Sequence, residues 1–590
     1  MQSLDWIVIT VYILVVTGIG VWAARLVRNP EDFFMGGRRF RKTFMTFFAF
    51  GAGTHTDQAV SVASKTYTNG LSGIWLQWIW LFATPFYWLI APVFRRMRAL
   101  TTGDYFELRY SPSVAALFAG VAILQLVVNI ATMLKGSGAM ITAVSGGTVN
   151  ETLAIVTMTI LFTVYGVAGG LSAAILTDFL QGILTVVLSF LILPFAMQMV
   201  GGLDGLRATI NDPQAFALVA AGDITLFYIA VVAFNGLVGN ATQPHTMGVC
   251  AAGKTEMDGR VGFAYGNMLK RLCTVAWTFT GLCAIALYPG MTDSQMIDQA
   301  YGLMARDILP LVAPGLLGLF LASMIAAVMS SCDAWMISCS ALFTENIYRP
   351  FIAPKRSGAH YVRVGRVVAV GVVFCCIGYA LYLESVVTGL ETFWKVQALM
   401  GIPFWVGIFW RRATPAGAWA STLVAFFVAL LTANVFAGLF DVNAFAQANL
   451  PAYAVYQGEL RLPFQMLAYL SCGFVTLIVV SLFTRPVEGA RLDRMYRALY
   501  TPVNEGEGPP TAPFEVPDGS KPQPTPKIID HPDLELRYPS FVGWSGFMLL
   551  WVWVVLLIAF VFWIVAGLPT SAPSPDTARP RSSTSGPARP

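Results

Sequence analysis

A chain of 590 residues that is 56% hydrophobic and only 12% charged lacks the polar surface of a soluble domain, in which about a quarter of residues are charged. Mean hydropathy is +0.65, and apolar runs of membrane-spanning length recur from end to end, as in a polytopic integral membrane protein. The net charge of +5 comes with no basic run interleaved with aromatics, which argues against a nucleic-acid surface. The eight cysteines form no CxxC and no pair in a hydrophilic loop, which argues against a zinc site or a disulfide frame.

In chain order, about fourteen transmembrane helices are expected. They lie near residues 4–26, 43–67, 72–94, 113–143, 152–167, 171–200 and 224–249, then 272–288, 309–347, 362–383, 387–410, 416–436, 463–483 and 541–566. The first has no basic stretch before it and no obvious cleavage site, so it reads as a retained helix rather than a signal peptide. Alternate loops carry the basic residues: Arg28, Arg38, Arg39, Arg41 and Lys42, then Arg95, Arg96, Arg98 and Arg109, and later Lys254, Arg260, Arg349, Arg411 and Arg412. The positive-inside rule then puts these loops in the cytoplasm and both termini outside. Residues 484–540 are rich in Pro, Gly and charge and read as a flexible cytoplasmic linker, and 568–590 read as a disordered tail. No kinase, nuclease or hydrolase motif is present, and His55, His245, His360 and His531 are too scattered for an HExxH metal site.

Two spans are interrupted by residues that suit neither lipid nor an intact helix. The first holds Gly51, Gly53, Thr54, His55, Thr56, Asp57 and Gln58 near its middle; such groups are tolerated at membrane depth where protein or a water-filled cavity receives them. The second holds Asn235, Gly236, Gly239, Asn240, Gln243, Pro244 and His245 in its latter half, where Pro removes a backbone donor. Taken alone, the second reads equally as a kinked structural helix. With the N-terminal helix set aside, the two are the first and sixth helices of two five-helix halves, the pattern of an inverted-repeat transporter.

A third feature is a stripe of small side chains on one helix face: Ser323, Ala327, Ser330, Ala334, Ser338 and Ala341, with Ser331 beside it. Close helix packing explains such a stripe. So does a hard-cation site formed by the Ser330 and Ser331 hydroxyls with the Ala327 carbonyl.

At these residues the chain resembles the sodium:solute symporters, the family of the sodium/glucose, sodium/proline and sodium/pantothenate carriers. The matching stretches are DFFMGGRR (32–39), GAGTHTDQ (51–58), GDYFELRY (103–110), YGVAGGLSAAILTDFLQ (165–181), QPH (243–245) and the block at 326–349. The resemblance implies an all-α, five-plus-five inverted-repeat core over 43–410, preceded by an extra helix and loop (1–42). Further helices would follow at 411–483 and 541–567. It implies a sodium site made of the Gly51, Thr54 and Ala327 carbonyls and the Ser330 and Ser331 hydroxyls. It also places Asp178, with Thr177, on the sodium path toward the cytoplasm. Gln58 and Lys270 match positions near substrate in sugar-carrying relatives, although a snorkelling lysine is an equal reading of Lys270. Gln243 and His245 resemble the proline and pantothenate carriers, while MGVC at 247–250 lacks the arginine usual there. His55 and Asp57 depart from the sugar carriers and are candidates for a distinct substrate pocket. Lys65, Lys135 and Lys395 are intramembrane cations expected to pair with Asp57, Asp178 or Asp333, or to snorkel.

The resulting expectation is a sodium-coupled symporter that imports a small organic solute by alternating access, with sodium as the co-transported ion. No organic cofactor, enzymatic activity, nucleic-acid partner or obligate protein partner is expected. A transporter-like membrane sensor and a sodium-independent facilitator are the alternatives.

Overall fold

The computed structural model describes residues 1–24, 38–99, 101–165, 170–220, 223–504, 507 and 512–566. Among them, strand structure is confined to one two-stranded hairpin, Val455–Tyr456 with Glu459–Leu460. The longer helices are α1 (Ser3–Ala24), α2 (Lys42–Gly51), α3 (Thr56–Asn69), α4 (Thr84–Arg96), α5 (Pro112–Val144), α6 (Glu151–Tyr165) and α7 (Gly170–Met199). They continue with α8 (Leu226–Asn240), α9 (Pro244–Ala251), α10 (Glu256–Leu287), α11 (Ala300–Val312), α12 (Leu316–Phe343), α13 (Gly358–Tyr382), α14 (Val386–Ala398) and α15 (Gly401–Phe409). The last four are α16 (Pro415–Thr432), α17 (Leu462–Phe483), α18 (Gly489–Tyr500) and α19 (Phe541–Ala566).

Among the described residues, nine helical runs are long and apolar enough to cross a bilayer, or ten with α8 and α9 taken as one span bent by 69°. Several of the spans expected from hydropathy are divided, which shortens the pieces. The 43–67 span is α2 and α3; the 387–410 span is α14 and α15. The 309–347 span begins instead at Leu316, because Pro314 and the left-handed Gly315 (φ 80°) separate α11 from α12. The 272–288 span is the latter part of a longer helix, α10, that starts at a capping box between Thr255 and Asp258. Residues 32–37, residues 166–169 and the tail 568–590 lie outside the described residues.

Small residues bring the central helices together. A Cβ on Gly262 would sit 2.5 Å from Met45 Cβ and one on Gly266 2.6 Å from the Thr46 carbonyl, so α10 lies with its backbone against α2. Gly281 does the same against Thr66 of α3, where a Cβ would be 2.9 Å from the threonine Cβ. On α5, a Cβ at Gly136 would be 2.7 Å from Asp57 Cα. These contacts fix the first interrupted span between two long helices.

Residues 484–540 correct the expectation of a free linker. The amphipathic α18 buries Leu492, Met495, Tyr496 and Leu499, and Phe514 is buried as well. The stretch beyond it is strapped to the arginine-rich end of the bundle. Phe514 N–H donates to the Met97 carbonyl, Glu535 N–H to the Phe409 carbonyl, and Arg411 N–H to the Asp533 carbonyl. Buried Glu535 receives Arg411 at 3.2 Å, Arg537 at 3.1 Å and the Tyr500 hydroxyl at 2.6 Å. Low apolar content concealed a segment held by backbone and charge-assisted hydrogen bonds rather than by a core of its own.

Candidate functional site

The two interrupted spans meet at the centre of the bundle. At the first, α2 ends with Gly53 N–H on the Phe50 carbonyl and Thr54 N–H on the Gly51 carbonyl, and His55 is extended (φ −127°, ψ 179°) before α3 begins. Two glycines followed by β-branched threonines make this an inexpensive place to leave helical geometry. The Gly53 carbonyl accepts a hydrogen bond from Lys270 Nζ of α10, and Thr56 Oγ1 donates to the Met324 carbonyl of α12 at 3.2 Å. At the second break, Pro244 opens α9. Thr242 Oγ1 lies 2.9 Å from the Gly239 carbonyl and 3.0 Å from that of Gln397, and Thr246 Oγ1 donates to the Asn240 carbonyl at 3.1 Å. Hydroxyls thus take up carbonyls that the helix has released.

Two cavities flank these breaks. One, of ≈ 70 Å³, is lined by Gly53, His55, Gln58, Gln243, His245 and Lys270 together with Gln77, Trp80, Tyr87, Asn240, Arg271, Trp335 and Trp394. The other, of ≈ 130 Å³, is lined by Asp178, Ser330, Ser331 and Ser338 with Thr101, Thr102, Phe118, His245 and Trp335. Trp335 borders both, as do His245 and Ala52. Its indole stacks on His245 (centroids 5.5 Å apart, 18° between planes) and meets the edge of His55 (5.6 Å, 86°).

Of the residues expected to bind sodium, Ser330 and Ser331 border the second cavity together with Asp178, and Ser330 Oγ donates to Asp178 Oδ1 at 3.0 Å. Gly51 reaches the same place from behind: a Cβ there would lie 3.0 Å from Asp178 Cβ. Thr54, Ala327 and Thr177 are buried nearby in sequence but do not line either cavity. Of the substrate candidates, His55, Gln58, Gln243, His245 and Lys270 line the first cavity. Asp57 does not. It is fully buried behind Gln58, whose Nε2 donates to Asp57 Oδ2 at 2.7 Å, with His55 Nδ1 3.7 Å from its other oxygen.

The further lysines do not reach Asp57 or Asp178, and the Asp333 side chain lies outside the described residues. Lys65 pairs with Asp223, just ahead of α8, at 3.1 Å, and Lys135 with Glu151, the first residue of α6, at 2.8 Å. Lys395 has Glu391, one helical turn back on α14, and then Glu459 as its charged neighbours.

The sequence profile described as "Sodium:solute symporter family" matches residues 33–425. The chain belongs to the sodium:solute symporter family. It is accordingly a multi-pass membrane protein of the symport type and not an enzyme. Similar proteins include the sodium/glucose cotransporter of Vibrio parahaemolyticus, 24% identical over 71% of this chain and 83% of that one. The sodium/pantothenate symporter of Escherichia coli is 25% identical over 72% and 90%, and the high-affinity proline transporter of Bacillus subtilis 26% over 74% and 92%. In fold, the chain resembles a solved sodium-coupled sialic acid symporter in a substrate-bound, outward-open state, with a TM-score of 0.66 and 18% identity. The match covers 82% of this chain and 99% of that one.

Arg271 lines the first cavity and Trp335 both cavities, and neither was singled out by hydropathy or motif spacing. Charge at 256–271 lowers the hydropathy of the first half of α10, so that half reads as a loop and Arg271 as its edge. Trp335 falls inside the motif block at 326–349, and only the fold brings it between two histidines from different breaks.

Proposed function

We propose that this symporter imports a small organic solute against its gradient by coupling it to sodium. Its core would be the five-plus-five inverted repeat, with α2–α3 and α8–α9 as the interrupted first and sixth helices. The arginine-rich end with its strap would face the cytoplasm, both termini would lie outside, and about fourteen spans would cross the bilayer. Sodium and solute are then cargo of one cycle. The ion is held by oxygens of Gly51, Thr54, Ala327, Ser330 and Ser331, with Asp178 and Thr177 on its exit path. The solute sits in the first cavity among His55, Gln58, Gln243, His245 and Lys270, with Asp57 setting the charge behind it.

The observation that carries this reading is the junction of Gly51, Asp178 and Ser330. It ties an interrupted backbone, a carboxylate and a serine pair to the edge of one cavity. Because the Ser330 hydroxyl spends its proton on Asp178, its oxygen lone pairs stay available to a cation. Hard cations without strong geometric demands are well served by neutral oxygens plus one carboxylate. Trp335 would separate ion from solute until both are in place, and the cycle would proceed by rocking one group of helices against the other.

The test is solute uptake into proteoliposomes with and without an inward sodium gradient, for the native protein and for Ser330→Ala with Ser331→Ala. Sodium-stimulated uptake is expected in the native protein. In the double variant it should be lost while folded, inserted protein is retained. Uptake by the native protein that ignores the gradient would establish a facilitator instead. Unchanged sodium dependence in the double variant would overturn the ion-site assignment.

A further inference from the structure

We infer that the solute of the first cavity is a small organic carboxylate bearing a hydroxyl or amino group, with Arg271 as the residue that receives its carboxylate. The inference rests on the reading of that cavity as the solute site. Arg271 lines it and is only 1% exposed, yet its Nε and Nη1 have no hydrogen-bond partner. Its nearest polar neighbours are neutral: the Asn267 amide oxygen, 3.5 Å from Nη2, and the Tyr87 hydroxyl. Among the described residues no carboxylate pairs with it. A buried cation without a counter-charge is strongly unfavourable unless something supplies one. Guanidinium suits a carboxylate in particular, through charge-assisted hydrogen bonds from a rigid planar fork.

The rest of the lining agrees in sign. Lys270 adds a second cation, held on the Gly53 carbonyl, and no carboxylate lines the cavity, since Asp57 is shut behind Gln58. Asp57 offsets one of the two positive charges, which leaves the site one anion short. Two buried acceptors on the lining, Gln58 Oε1 and Gln77 Oε1, also lack a donor. A hydroxyl or amino group on the same solute would supply it, since an unmet buried acceptor penalises any ligand that cannot donate. The small volume of the cavity fits a compact solute rather than an oligosaccharide or peptide.

Binding of matched acid and amide pairs decides the matter. Lactate with lactamide, proline with prolinamide, and pantothenate with its amide, plus glucose as a neutral comparator, are titrated against the purified full chain in saturating sodium and in sodium-free buffer. At least one acid should bind tenfold or more tightly than its amide and than glucose. Arg271→Gln should bring acid and amide to within about threefold of each other, with Arg271→Lys intermediate. Amides equal to their acids, glucose as the best ligand, no acid bound, or an acid preference that survives Arg271→Gln would each overturn the inference. If Arg271→Gln does not fold, the native acid-to-amide ratio decides alone. An acid preference without sodium dependence would keep the solute class and fail the sodium-coupled reading, so the two outcomes are distinct.

Discussion

The two cavities on either side of Trp335 are built from opposite chemistry. One presents the cations Lys270 and Arg271 and the Trp394 indole N–H among carboxamides, with its one nearby carboxylate, Asp57, buried out of reach. The other presents oxygens: Asp178, three serine hydroxyls and two threonine hydroxyls, with no lysine or arginine on its lining. A lining with cations and no carboxylate favours an anion, and one with a carboxylate and hydroxyls a cation, so on the proposed reading two cargoes of opposite sign would lie on either side of one indole ring. Bringing opposite charges to adjacent places in a low-dielectric interior also makes each favour the other, a coupling typically of about 1–3 kcal/mol.

Breaking the oxygen side should have the largest effect. Asp178→Asn removes the only carboxylate on that lining, and contacts to a charged group are worth about 1.5–3 kcal/mol. Sodium half-saturation, measured by initial-rate uptake at varied sodium, should therefore rise roughly ten- to a hundredfold; an unaltered value would remove Asp178 from the ion path. Removing the indole comes next. Trp335→Ala joins the two cavities, and sodium entry into vesicles without solute should rise several-fold. Because deleting a packed aromatic costs about 3–5 kcal/mol of stability, Trp335→Phe is the control: it should restore the barrier, and leak in that variant would mean that the ring is not the partition. The smallest effect is expected from Gly136→Ala on the donor side. The added methyl meets the Asp57 backbone, and overpacking of this kind costs about 1–3 kcal/mol. The thermal midpoint of the detergent-solubilised protein should fall by a few degrees, with uptake reduced a few-fold rather than lost. A midpoint equal to that of the native protein would show that α3 can move away from α5.

Much of the architecture was legible because the membrane enforces it. Polar residues and glycines in mid-span, as at Gly51–Gln58 and Asn235–His245, have few permitted explanations in lipid, so both interruptions could be read from the chain. What hydropathy could not see were helices whose charged residues face inward. α10 carries Glu256, Arg260, Lys270 and Arg271, and averaging over a window erased its first four turns together with the arginine that lines the cavity. The same averaging turned 484–540 into a linker, although Glu535 and its partners hold it against the bundle. Asp57 and Gln58 are adjacent in sequence and equally polar, and only packing against Gly136 decides that one faces the cavity and the other its back. The partner of Lys65 lies in a loop and that of Lys135 opens a different helix, so no pattern along the lysine's own helix could rank either.

The hydrogen bond from Lys270 to the Gly53 carbonyl has one more consequence. A helix that unwinds between two long neighbours offers carbonyl oxygen on more than one side, and each exposed oxygen could recruit an ion from solution. Here an ammonium group that never leaves the protein occupies the Gly53 position. On the proposed reading, this tethered cation fills one berth at the break for the life of the protein. On that reading the Gly51 and Thr54 carbonyls are the ones at this break left to an ion that travels.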